Sequence, residues 1–212
     1  LLGKKLVPNE DIHAIAITGQ WSGTVAVDRA GNALENAVIW MDSRGEPYIK
    51  KIGEGLIKIA DYGISKLFKW INITGGLPGS AGKDPIAHIL YLKHVRPEIY
   101  KQTHKFLEPI DYIGLLLTGK FAASVNSIVL HWVTDNRDIS SIKYDESLIR
   151  LSGIDREKLP DLFPPNASLG TLLPDIRKDW GLPDDVQVIM GSPDVHSAAV
   201  GSGAVADFET HL

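Results

Sequence analysis

The stretch "VIMGSPDVHSAAVGSG", residues 188–203, does most to restrict what this chain can fold into. Three apolar residues ending "PDDVQVIMGS" predict a buried strand, and the small residues behind Asp194 predict a closely packed helix over 194–201. A buried strand running straight into a helix is the building step of an α/β protein. The lone carboxylate at that junction has two readings. Asp194 is a helix cap that takes up backbone N–H groups, or a site residue held where α/β folds place ligands. Spacing alone leaves both open.

The rest of the chain agrees with the class. Residues 12–18 alternate into a strand that breaks at Gly19, 23–28 read as a second strand, and 37–41 as a third. The turn Asp28-Arg29-Ala30-Gly31-Asn32 predicts an antiparallel hairpin, and hence a mixed sheet. Helical patterns cover 46–60, 84–95, 97–104 and 144–152, with Asp84 as the expected N-cap of the second and Pro85 at its first position. A short strand and a helix stopped by Gly119 lie in 105–119, and Pro160, Pro164 and Pro165 mark a loop. The expected architecture is α/β, a mixed sheet flanked by helices.

Composition removes several function classes. A formal charge of −4, with Lys and Arg scattered, argues against a nucleic-acid partner. The apolar runs fall short of the roughly 20 residues a bilayer span needs, so no membrane partner is expected. The absence of cysteine excludes a disulfide scaffold and fits a cytoplasmic protein.

Motif by motif, the alternatives thin out. "GGLPGSAGKD" (75–84) has five residues between Gly76 and Gly82, and Lys83 is followed by Asp84; a P-loop needs four, and then Ser or Thr. "GSGAVA" (201–206) ends a helical pattern instead of joining a strand to a helix. His88 and His94 are six apart on one predicted helix, and His131 sits beside Trp132 in an apolar run, so the histidines read as satisfied or surface groups and no metal site is expected. Two segments at strand ends remain: "TGQWSG", with Gln20, Trp21 and Ser22, and "IWMDSRG", with Asp42 and Arg44. A ring among hydrogen-bonding neighbours suits a polyol, which has a C–H face and a hydroxyl edge.

"ITGQWSG", "AVIWMDSRG", "ITGGLPGSAGKDPIAHILYLKHVRPEIYKQTHKFLEPIDYIGLLLTGKFAAS" and "GSPDVHSAAVGSGAV", in this order, resemble the N-terminal domain of FGGY carbohydrate kinases, nearest the xylulokinase branch. The resemblance implies an actin-like, ribonuclease-H-like fold and the sugar-binding lobe of a two-lobed ATP-dependent kinase. It implies Asp194 as catalytic base and Trp21 and Ser22 as sugar contacts, with Gln20, Asp42, Arg44 and Val195 completing the substrate site. ATP and Mg2+ are implied for the complete enzyme and not for this lobe. Residues 1–206 correspond to the lobe without its opening strand and phosphate loop, and 207–212 to the start of a connection to an ATP-binding lobe. Taken alone, the chain is expected not to phosphorylate a ketose or polyol, and an unpaired sheet edge is expected to favour a homodimer. The alternative is a non-catalytic sugar-binding or protein-interaction module. Two positions depart from the xylulokinase pattern: Trp21-Ser22 replaces Met-His, and Val195 replaces the Asn after the base.

Overall fold

The computed structural model describes residues 8–59 and 61–206. The chain forms β1 (Ala14–Gly19), β2 (Val25–Val27), α1 (Glu46–Gly53), β3 (Lys58–Ile59) and β4 (Tyr62–Gly63). Helices α2 (Ile64–Thr74), α3 (Pro85–Val95) and α4 (Pro97–Gln102) follow, then β5 (Lys105–Leu107), α5 (Pro109–Thr118), β6 (Ala122–Ser124) and the single turn α6 (Val125–Ile128). The remainder runs β7 (Thr134–Asp135), β8 (Lys143–Tyr144), α7 (Glu146–Ser152), β9 (Asp161–Phe163) and β10 (Ser168–Thr171). Helix α8 (Pro174–Trp180), β11 (Gln187–Pro193) and α9 (Asp194–Gly201) close it. Among the described residues no helix is long and apolar enough to cross a membrane.

The three-stranded sheet has the order β1-β11-β10, with β1 parallel and β10 antiparallel to β11. The sheet is mixed, as expected, but its antiparallel member is β10 and not the hairpin at 28–32. That hairpin stands apart: Thr24 bridges Val38 and Val27 bridges Ala33, while β2 pairs with β5. Of residues 37–41 only Val38 pairs. The Asp42 N–H returns to the Ile39 carbonyl at 2.8 Å, so Trp40 and Met41 form an exposed turn in place of a third strand.

The helix expected over 46–60 stops at Gly53. A Cβ there would lie 2.9 Å from the Tyr62 ring, and one on Gly55 would lie 2.6 Å from the Gly63 Cα. The two backbones approach so closely that only glycines fit, and β3 and β4 take over. Helix α2 has no counterpart among the sequence expectations.

Helix α3 is apolar on every side, as a helix buried between others must be. Its Ile86, Ile89 and Leu92 pack with Ile49 of α1, Trp70 of α2 and Leu148 of α7. Under the sheet, Val188 and Met190 of β11 meet Leu117 of α5 and Leu169 of β10. Helix α5 crosses directly over β1 and β11: a Cβ on Gly19 or on Gly191 would lie 3.1 Å from Ile110. These two glycines let the helix lie flat on the sheet.

Candidate functional site

Strands β1 and β11 set Thr18 opposite Ser192 and Gly19 opposite Pro193. Gln20-Trp21-Ser22 and Asp194-Val195 therefore leave the sheet side by side, at the carboxyl ends of two parallel strands. Two contacts tie the segments together. Thr18 Oγ1 donates to Ser197 Oγ at 2.8 Å, and the Trp21 ring lies 4.9 Å from His196, tilted by 60°. Trp21 and α9 form one wall.

Asp194 is exposed and is the first residue of α9; Pro193 holds the cap position. Its Oδ1 accepts the Val195 N–H at 2.9 Å and no other partner is found among the described residues. One carboxylate oxygen takes up a helix N–H and the other is left available. Val195 beside it is 52% exposed.

The loop after β1 is strained and tightly held. Ser22 adopts φ +62° and donates Oγ–H to the Lys83 carbonyl at 3.0 Å. The Gly23 N–H donates to Glu108 Oε2 at 2.7 Å, and a Cβ on Gly23 would lie 2.6 Å from Pro109. The half-buried Trp21 donates Nε1–H to the Ser127 carbonyl at 3.0 Å. The Gln20 side chain, half-buried, has no partner among the described residues.

The loop at 75–84 closes against this one. Gly82 has φ +70°, and a Cβ there would run into the Glu46 backbone, so the loop packs directly against the start of α1. Asp84 occupies the N-cap position of α3 as expected, but its side chain does not cap. Its Oδ2 accepts the Gly79 N–H at 2.6 Å and the Trp132 Nε1–H at 2.9 Å instead, and burial raises its carboxyl above the ordinary range.

Asp42 and Arg44 find each other. Arg44 Nε and Nη2 donate to Asp42 Oδ2 at 2.9 and 2.5 Å, and Nη1 donates to the Tyr91 hydroxyl at 2.8 Å. The hydrogen-bonded Arg44 holds the Asp42 carboxyl below the usual range. Among the described residues no hydrogen bond or ion pair joins either residue to Trp21, Ser22 or Asp194.

His131 corrects the sequence reading of satisfied or surface histidines. His94 stacks on Tyr48, but His88 and His131 are buried. Thr24 Oγ1 meets His88 Nδ1 at 3.2 Å, while neither ring nitrogen of His131 finds a hydrogen-bond partner among the described residues. Burial pushes the two down to about 4 and about 3. Among the described residues no three His, Cys, Asp or Glu gather in a way that could hold a metal ion.

Residues 1–201 match the model of the FGGY family of carbohydrate kinases, N-terminal domain. The chain belongs to this family. This FGGY domain is 29% identical over 199 residues to the xylulose kinase of Escherichia coli (strain K12), covering 92% of this chain and 37% of that protein. It is 26% identical over 212 residues to the xylulose kinase of Bacillus subtilis (strain 168), covering 96% of this chain and 38% of that protein. The crystal structure of ligand-bound xylulose kinase from Lactobacillus acidophilus superposes with a TM-score of 0.77 at 20% identity, over 96% of this chain and 38% of that one. This likeness shows the expected actin-like, ribonuclease-H-like fold. The FGGY domain thus spans 37–38% of the length of these relatives. The segment 207–212, read above as the start of a connection, lies outside the described residues.

Proposed function

We propose that this FGGY domain is the sugar-binding lobe of a cytoplasmic, ATP-dependent carbohydrate kinase acting on a ketose or polyol. The observation that carries the reading is the shared exit of Gln20-Trp21-Ser22 and Asp194-Val195 from paired strands. Trp21 offers a ring to the C–H face of a sugar, Gln20 and Ser22 offer polar groups to its hydroxyl edge, and Val195 flanks them. Asp194 has a free carboxylate oxygen and solvent access, which is what a base needs to take the proton of the hydroxyl that becomes phosphorylated. Asp42 and Arg44 form an ion pair that also bonds the Tyr91 hydroxyl.

ATP and Mg2+ are assigned to the remainder of a longer kinase; in this domain the glycine loop at 75–84 packs against α1, and among the described residues no three His, Cys, Asp or Glu gather to hold a metal ion. The relatives are xylulose kinases, which favours xylulose; Trp21-Ser22 and Val195 give this site an apolar ring and an apolar flank of its own.

The test uses the full-length kinase. Asp194→Asn keeps size and one acceptor oxygen, so sugar affinity and melting temperature should change little. Turnover should fall by about 10²–10⁴, the contribution of a general base. Turnover within a few-fold of the parent would sink the assignment and leave Asp194 as a helix-end residue.

A further inference from the structure

Two carboxyl groups lie at the start of α5, Glu108 at the N-cap position and Asp111 in the first turn, and both are enclosed: Glu108 is 0% exposed and Asp111 2%. A buried carboxyl needs compensating hydrogen bonds. Glu108 has one, from the Gly23 N–H. Asp111 has two: Oδ1 accepts the Ser124 N–H at 3.2 Å, and Oδ2 shares a hydrogen bond of 2.5 Å with Ser127 Oγ, which also lies 2.9 Å from the Ser124 carbonyl. Asp111 thereby grips both ends of the short turn Ser124–Ser127. The carbonyl of Ser127, at the end of that turn, accepts the indole N–H of Trp21. One helical turn thus holds the Trp21–Gly23 loop twice, through its backbone at Gly23 and through the indole at Trp21.

We propose that Asp111 is a positioning residue for the sugar site, fixing the indole of Trp21 through the Ser124–Ser127 turn while Glu108 fixes the backbone two residues on. The consequence for sugar affinity rests on the reading of Trp21 as a sugar-facing ring; the positioning itself does not. Burial pushes the Asp111 carboxyl up to about 7, and as carboxylate or as acid it joins the Ser124 N–H to the Ser127 hydroxyl, a link that no apolar side chain can make. Ser22 at φ +62° adds a reason for the double anchor, because a strained loop keeps its shape only where its surroundings over-determine it.

The experiment is fluorine NMR on the full-length kinase grown with 5-fluorotryptophan, the Trp21 signal being identified by its loss in Trp21→Phe. In Asp111→Ala, and in Ser127→Ala should the former fail to fold, the Trp21 signal should shift or broaden while Trp70 and Trp180 stay in place. Affinity for the best binder among D-xylulose, D-ribulose, D-fructose and glycerol should fall roughly three- to tenfold, as for one lost hydrogen bond. That loss should vanish in the Trp21→Phe background, which has no N–H to hold. An unmoved Trp21 signal in folded variants overturns the proposal. So does a common shift of Trp21 and Trp70, which would make Asp111 a general prop. A displaced Trp21 with unchanged sugar affinity supports the positioning and removes Trp21 from the sugar site.

Discussion

His131 is a polar side chain enclosed without partners. Held down to about 3 in the fold against an ordinary 6.5, it binds a proton on unfolding wherever the pH lies between those values. Its burial therefore costs stability that grows as pH falls below 6.5, and costs none of this kind above it. His131→Leu should gain on the parent by about 2 kcal/mol between pH 7.5 and pH 5, at about 1.4 kcal/mol per pH unit. Urea denaturation at the two pH values measures this; parallel profiles for parent and variant would contradict it. The apolar run around His131 hinted at enclosure, but a buried histidine is ordinarily satisfied, and nothing in the sequence showed that its ring nitrogens would go without partners. Asp194 and Trp21 were legible because strand ends mark them. Glu108 and Asp111 were not: in "EPIDY", acids around a proline have an ordinary explanation as the first turn of a helix. Only tertiary packing closes over them.

Elements with local causes were legible. Gly119 ends α5 at φ +75° and Pro85 opens α3, because turn and cap chemistry act between near neighbours. Elements decided at a distance were not. Helix α1 ends where Gly53 and Gly55 meet Tyr62 and Gly63, and β6 and β9, three residues each, are too short for any period. The loop at 75–84 gives a test of such packing. Gly75 and Gly82 both have positive φ, but nothing lies within 4 Å of a Cβ on Gly75, whereas one on Gly82 strikes the backbone of α1. Gly75→Ala should cost about 1–2 kcal/mol from backbone strain alone. Gly82→Ala should cost roughly 2–5 kcal/mol, from strain plus overpacking. Equal melting temperatures for the two variants would show that the loop lifts away from α1 without penalty.

At the scale of the molecule, the α/β class and the FGGY resemblance were legible, while the strand order was not. Sequence spacing cannot say that β1 pairs with β11 and that the 28–32 hairpin stands outside this sheet. That pairing has a consequence in time. Thr18 and Ser197, which bond between β1 and α9, are 179 residues apart, so their meeting closes a very long loop. Closing so long a loop is entropically opposed until the intervening helices shorten it, and parallel pairing is slow for the same reason. Amides of α3 and α5 should gain protection in pulse-labelled hydrogen exchange before those of β1 and β11. Simultaneous protection would refute that order. If it holds, Trp21 and Asp194 are among the last parts of the domain to come together, and the proposed sugar site is assembled only when folding is almost over.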